Sequence, residues 1–144
     1  MVTHALDDYD VTALPTEPRL VLVASTTGDG EEPDNMRATW RFLLRRSLGP
    51  DSLARLRFAV FGLGDSSYPK FNAVARRLQT RLKQLGAVPF AAVGLGDDQS
   101  PRGVLGDFDE WCKVGEGGGW GVDDWWSGVV DCGYYGVAPL SQRI

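Results

Sequence analysis

Three segments combine glycine, hydroxyl and carboxylate residues at spacings suited to gripping a flat polar ligand: Ser25-Thr-Thr-Gly-Asp-Gly30, Gly62-Leu-Gly-Asp-Ser-Ser-Tyr-Pro-Lys-Phe-Asn72 and Gly94-Leu-Gly-Asp-Asp98. In the first, which runs on through Glu31-Glu-Pro-Asp-Asn35, hydroxyls and closely approachable backbone can hydrogen-bond a polar ring. In the second, two glycines permit close backbone approach, and Tyr68 offers a face for stacking. Taken singly, a glycine-aspartate loop after a strand is more often only a turn and a helix cap. Three on one edge of a sheet make a candidate site. Little else suggests catalysis, because His4 is the one histidine, and Cys112 and Cys132 stand twenty apart without a CxxC spacing. A structural zinc site or a disulfide framework is disfavoured, and no residue is assigned as a catalytic acid, base or metal ligand.

The elements that must position these loops are legible in the hydrophobic pattern. Arg19-Leu-Val-Leu-Val-Ala-Ser25 and Arg57-Phe-Ala-Val-Phe61 are short apolar runs suited to strands buried on both faces. Pro89 to Val93 is a third such stretch, and Val2 to Leu6 a fourth. Asp34 to Arg46 opens on a capping candidate and repeats apolar residues at Met36, Trp40, Leu43 and Leu44, which predicts an amphipathic helix. Phe71 to Leu85 does the same with Phe71, Val74, Ala75, Leu78, Leu82 and Leu85 inward, and Gly86 supplies a left-handed stop. Strands alternating with helices call for an α/β fold with a parallel sheet, whose ligands sit outside the carboxyl ends of the strands.

At 144 residues, with 43% hydrophobic and 24% charged residues, the chain has the size and balance of one globular domain. Its net charge of −4 hides a segregation: residues 1–36 hold one base against eight acids, 37–83 eleven against two, and 84–144 three against nine. The basic middle falls on solvent-facing positions of two helices, so nucleic acid is not expected as a partner. No apolar run is long enough for a membrane span, and the acidic start lacks the pattern of a presequence, which makes the cytoplasm the expected compartment. From Lys113 the character changes, with eight of the eighteen glycines and three of the five tryptophans in the last 32 residues. The chain therefore divides into a domain over 1–112 and an irregular, disordered tail over 113–144.

Thr26-Thr-Gly-Asp-Gly30 with Pro33-Asp-Asn35, Phe61-Gly-Leu-Gly-Asp-Ser-Ser-Tyr-Pro-Lys-Phe-Asn72 and Leu95-Gly-Asp-Asp-Gln99 together resemble the flavodoxin-like FMN domain of diflavin reductases. Within these, the resemblance is to the NADPH-dependent diflavin oxidoreductases of cytosolic iron–sulfur protein assembly, over about residues 4 to 111. It implies that Ser25, Thr26, Thr27 and Gly28 line one side of an FMN. Leu63, Gly64, Asp65, Ser66, Ser67, Tyr68, Pro69, Lys70, Phe71 and Asn72 would line the other, with Tyr68 stacked on the ring and Asp98 closing the site. NADPH and FAD would act in a separate reductase domain of the full-length protein, and FMN would pass electrons to an anamorsin-type iron–sulfur acceptor. The acids Asp29, Glu31, Glu32, Asp65, Asp97 and Asp98 would disfavour added negative charge on the flavin and steer a basic partner.

The resemblance also implies a doubly wound sheet of order 2-1-3-4-5, in which Val2 to Leu6 matches the second strand. The first strand and its phosphate loop are missing from the match. That leaves an expected gap between the strands at Val2 to Leu6 and Leu20 to Ser25. Hydrogen bonds to a charged group are worth roughly 1.5–3 kcal/mol, so losing three from a phosphate costs about 5–9 kcal/mol. Weak FMN binding, or none, is expected of this chain alone. The alternative function is a non-catalytic truncated isoform or gene-model fragment. A dinucleotide-binding domain is disfavoured because Ser67 stands at the third glycine position, and a receiver-type signalling domain because Gly94 to Asp98 carries no lysine.

Overall fold

The computed structural model describes residues 3–114 and 129–132. Its strands are β1 (Thr3–Ala5), β2 (Arg19–Ser25), β3 (Arg57–Gly64), β4 (Val88–Pro89), β5 (Gly94–Asp97) and β6 (Val129–Cys132). Its helices are α1 (Arg37–Leu43), α2 (Ala73–Gln84) and α3 (Gly103–Lys113), with 3-10 turns at Leu6–Asp8, Val11–Thr16 and Asp34–Met36. Every strand pairing is parallel. The sheet runs β1-β6-β2-β3, and the far edge of β3 is shared by β4 along its start and β5 along its end. This is the open α/β architecture of the flavodoxin-like folds, five strand positions wide.

The expected gap beside β1 is filled. Val129–Cys132 pairs with both neighbours, Val129 standing opposite Thr3 and Val21, and Val130 opposite His4 and Leu22. A segment from the far end of the chain thus takes the position the resemblance gave to a missing first strand. The backbone ladder explains how this can happen. Interior strands need a partner on each side to satisfy their peptide groups, and any extended parallel segment supplies one. The rest of the tail, 115–128 and 133–144, lies outside the described residues.

Alternation along β2 builds the two faces. Leu20, Leu22 and Ala24 point to one side, where they join Met36, Leu43, Phe58, Val60, Val74, Leu78 and Leu82 in a core against α1 and α2. Val21 and Val23 point to the other, where Phe61 collects Val104, Phe108 and Trp111 of α3. Both helical predictions correspond to real helices with trimmed ends. Asp34–Met36 is a 3-10 turn, and after Leu43 the chain leaves the helix, so Leu44 is exposed and Thr39 is buried in its stead. Asp7 secures this start, accepting the Thr39 N–H at 2.9 Å and the Ala38 N–H at 3.1 Å. α2 ends on Gly86, whose φ of +92° is the left-handed stop.

The expected strand over Pro89 to Val93 is not formed. Only Val88–Pro89 pairs, the chain bends at Phe90 and Ala91, and the ladder resumes at Gly94. The third glycine-rich segment is therefore strand over most of its length. Tertiary fit overrides propensity here: a Cβ at Gly94 or Gly96 would run into the Phe61 ring, so glycine lets β5 lie flat against it. α3 was not anticipated from the sequence, although Val104, Phe108 and Trp111 carry its i, i+4, i+7 spacing.

Candidate functional site

β2, β3 and β5 end together, and the loops that leave them enclose a cavity of about 440 Å³ at the carboxyl edge of the sheet. Ser25, Thr26, Thr27 and Gly28 line one side, while Leu63, Gly64, Asp65, Tyr68, Pro69, Lys70, Phe71 and Asn72 line the other, with Asp98 at its margin. Asp29, expected near the flavin only as one of its acids, also lines the cavity, as does Val104 from α3, which the sequence did not place there. Ser66 and Ser67 do not reach the cavity. Their backbone N–H groups are engaged by carboxylates, Ser66 donating to Asp97 at 2.9 Å and Ser67 to Asp65 at 2.8 Å.

The first loop is a tight turn. Thr27 and Glu31 exchange backbone hydrogen bonds of 2.9 Å, with Gly28 and Gly30 at positive φ between them. Lys70 lies across Gly30, where a Cβ would sit 2.6 Å from its Cδ, and Arg77 donates to the Gly30 carbonyl. The second loop and α2 thus hold the first loop in place. Thr26 acts in the opposite direction: its Oγ1 accepts the Val74 N–H at 3.2 Å, capping a helix 48 residues away.

Loops two and three are bound to each other. Asp98 donates its N–H to the Gly64 carbonyl at 2.8 Å, and Asp97 accepts from Ser66. Asp107 of α3 supports this pair, accepting the Asp97 N–H at 3.0 Å and the Ser100 hydroxyl at 2.8 Å. Hydrogen bonding from Ser66, through its side chain and then its N–H, holds the Asp97 carboxyl below the usual carboxylate range. Ser67 does the same for Asp65, side chain first. Both acids therefore stay ionised well into acid and serve as turn-formers. Among the lining residues, Asp29, Asp65 and Asp98 face a single cation, Lys70.

Tyr68 stands apart from this ordered framework. It is 63% exposed at the rim, a large aromatic ring without a packing partner in the core. Phe71, Leu63 and Val104 give the interior apolar surface. The arrangement can hold a flat, mostly apolar ring with polar edges, but it offers no nucleophile or acid–base pair. The Cys112 thiol sits on α3 outside this lining, its pKa pushed up to about 11 by burial and then by Asp109. Among the described residues no cluster of acids, histidine and cysteine is placed to hold a metal, and no helix is long and apolar enough to cross a membrane.

Comparison with known proteins places the chain in a family. The flavodoxin family model matches residues 1–111. The chain belongs to the flavodoxin family. Among the relatives of this flavodoxin domain, the NADPH-dependent diflavin oxidoreductase 1 of Danio rerio is 57% identical over 108 residues, covering 75% of this chain and 18% of the relative. That of Arabidopsis thaliana is 52% identical over 106 residues, covering 73% of this chain and 17% of the relative. The chain thus spans under a fifth of the length of these relatives. Of solved structures, oxidised flavodoxin 1 from Bacillus cereus aligns with a TM-score of 0.52 at 28% identity over 60% of this chain and 56% of that one. A mutant flavodoxin from Pseudomonas aeruginosa aligns with a TM-score of 0.54 at 27% identity over 66% of this chain and 61% of that one.

The flavodoxin family implies FMN as the cofactor, and the cavity can be tested against it. Its volume lies within the usual 300–1,000 Å³ of small-molecule sites. The exposed Tyr68 face, the apolar interior and the hydroxyls of Ser25, Thr26 and Thr27 suit the ring of a flavin. Three carboxylates against one lysine do not suit a phosphate dianion. The described lining suits the ring of FMN and does not suit its phosphate.

Proposed function

We propose that this chain is the FMN-carrying electron-transfer domain of an NADPH-dependent diflavin reductase. The observation that supports it is the cavity itself, bounded by Ser25 to Gly28 on one side and Leu63 to Asn72 on the other, with the Tyr68 ring exposed at its rim. Bound FMN would supply the redox chemistry, taking up electrons from a reduced FAD and releasing them singly. The chain's own residues do the rest. Tyr68 would cover one face of the ring, the Thr26 and Thr27 segment would border the other side, and Leu63, Phe71 and Val104 would keep water from the interior.

In this reading the electrons originate from NADPH, through an FAD- and NADPH-binding reductase domain on the same full-length protein. They leave to an iron–sulfur acceptor of the anamorsin type in the cytoplasm. The acidic rim formed by Asp29, Asp65 and Asp98 favours a basic docking surface on that acceptor. Titration of the 144-residue chain with FMN and with riboflavin, followed by quenching of flavin fluorescence, tests the reading. Weak quenching by both, at high protein concentration, is expected, because the lining suits the ring they share and offers the phosphate little. Absence of quenching by either at millimolar protein would refute it.

A further inference from the structure

Asn72 is fully buried, at 0% exposure, and is the one non-glycine residue with positive φ (52°) among the described residues. It stands immediately before α2, where an asparagine would be expected to cap the helix, yet Thr26 does that work. The Asn72 carboxamide instead turns inward and its Nδ2 donates to the Gly96 carbonyl at 3.0 Å. The other end of the carboxamide fills a notch in β3. A Cβ on Gly64 would lie 2.5, 2.7 and 2.8 Å from its Oδ1, Cγ and Nδ2, and a Cβ on Gly62 would collide with the same oxygen. Gly62 and Gly64 are two apart on one strand and face the same way. These glycines therefore make room for a side chain of the protein, whereas the sequence suggested room for a ligand. Oδ1 is buried with no hydrogen-bond partner. A left-handed backbone and an unpaired buried acceptor both cost stability, and such strain is retained where a site needs its geometry fixed.

We propose that Asn72 is a positioning residue of the flavin site. Its carboxamide, seated under Gly62 and Gly64 and tied to Gly96, holds the end of β5, and with it Asp98, in place against the 62–72 segment that forms one wall of the cavity. The inference rests on the FMN reading for its effect on the cofactor, but the hold on Asp98 can be measured without any flavin.

The test uses the whole 144-residue chain and three variants, Asn72→Gly, Gly64→Ala and the double variant. Glycine keeps the left-handed φ without strain and deletes the carboxamide. Amide exchange of Asp98, whose N–H bonds Gly64, should speed up about tenfold in Asn72→Gly while the Leu78 and Leu82 amides of α2 stay as in the parent. FMN affinity should fall about tenfold, with a changed visible circular dichroism of any flavin still bound. Gly64→Ala should lose a similar amount. The three atoms nearest its new Cβ all belong to Asn72, so the double variant should recover at least about threefold over Gly64→Ala alone. Unchanged Asp98 exchange in Asn72→Gly, or no recovery in the double variant, overturns the proposal. If Asn72→Gly does not fold, Gly64→Ala alone decides, since it must displace the carboxamide and speed Asp98 exchange if the inference holds. If the parent chain does not bind FMN, the electron-transfer reading fails, and Asp98 exchange still decides whether Asn72 holds the end of β5 in place.

Discussion

Replacing Tyr68 by alanine separates cofactor recognition from folding, because the ring is 63% exposed and packs on nothing in the core. Substitutions at such sites change folding stability by within about 0.5 kcal/mol. Bound flavin would change that environment. An aromatic side chain can bury 150–250 Å², of which one face is roughly 80 Å², worth about 2 kcal/mol at 25 cal/mol per Å². Ring-on-ring geometry adds about 0.5–1.5 kcal/mol. The sum, about 2.5–3.5 kcal/mol, corresponds to roughly 70- to 400-fold weaker binding. Fluorescence titration with FMN and riboflavin should show the same loss for both, since the ring is common to them, while thermal melting stays at the parent value. Tyr68→Phe should stay within about threefold of the parent, because stacking does not need the hydroxyl. An alanine variant that binds as tightly as the parent would refute the stacking role. So would a phenylalanine variant as weak as alanine, which would assign the effect to the hydroxyl.

Three further outcomes follow from the packing and the loop carboxylates. Leu78 is fully buried between α2 and the sheet, so Leu78→Ala should cost about 2–5 kcal/mol in urea unfolding. Asp7→Ala removes the acceptor for two N–H groups at the start of α1 and should cost about 1 kcal/mol, read as a lower melting temperature, whereas Asp7→Asn, which keeps one acceptor oxygen, should cost less. Asp65 and Asp97 have folded pKa values below their unfolded ones. Their contribution to loop order is therefore complete above the ordinary aspartate range, about 3.9, and is lost as pH falls through the lowered folded values. The Ser66 and Ser67 amide chemical shifts should titrate with midpoints below about 3.9, and midpoints above it would contradict the assigned hydrogen bonds.

The parts of this fold legible in the sequence are those in which one residue type has one outcome. Arg19–Ser25 is a strand with the bounds its apolar run indicated, since a short, continuous apolar stretch with valine at alternate positions suits a strand buried on both faces of a parallel sheet. Gly86 is at positive φ, as the left-handed stop after Phe71 to Leu85 required. What stayed hidden depends on partners distant in sequence. Gly62 and Gly64 read equally well as space for a ligand or for Asn72, and only the folded chain shows which atoms occupy that space. Ser66 and Ser67 sit inside the most specific motif, yet they are not among the lining residues, and turn chemistry with Asp97 and Asp65 engages their N–H groups. Val104 was unreadable as a lining residue until α3 placed it there.

β6 is the element least legible of all, and it carries the most direct test of how this sheet is held together. Val129 and Val130 are β-branched, but two such residues in a glycine- and tryptophan-rich stretch are too few to set a period. Their pairing is decided by demand from both sides: β1 has just three residues and pairs with β6, and β2 has β3 on its other edge. Without β6, β1 would be detached from the sheet, and one edge of β2 would lose its ladder partners. Val130→Pro, at the position opposite His4 and Leu22, deletes a ladder N–H in an interior strand and should cost about 3 kcal/mol or more. A chain ending at Val114 should lose the same protection of the β1 and β2 amides to hydrogen exchange. If both variants exchange and melt like the parent, β6 contributes nothing to the sheet. If both lose protection in β1 and β2 while α2 keeps its own, the C-terminal segment is the strand that joins β1 to the rest of the domain.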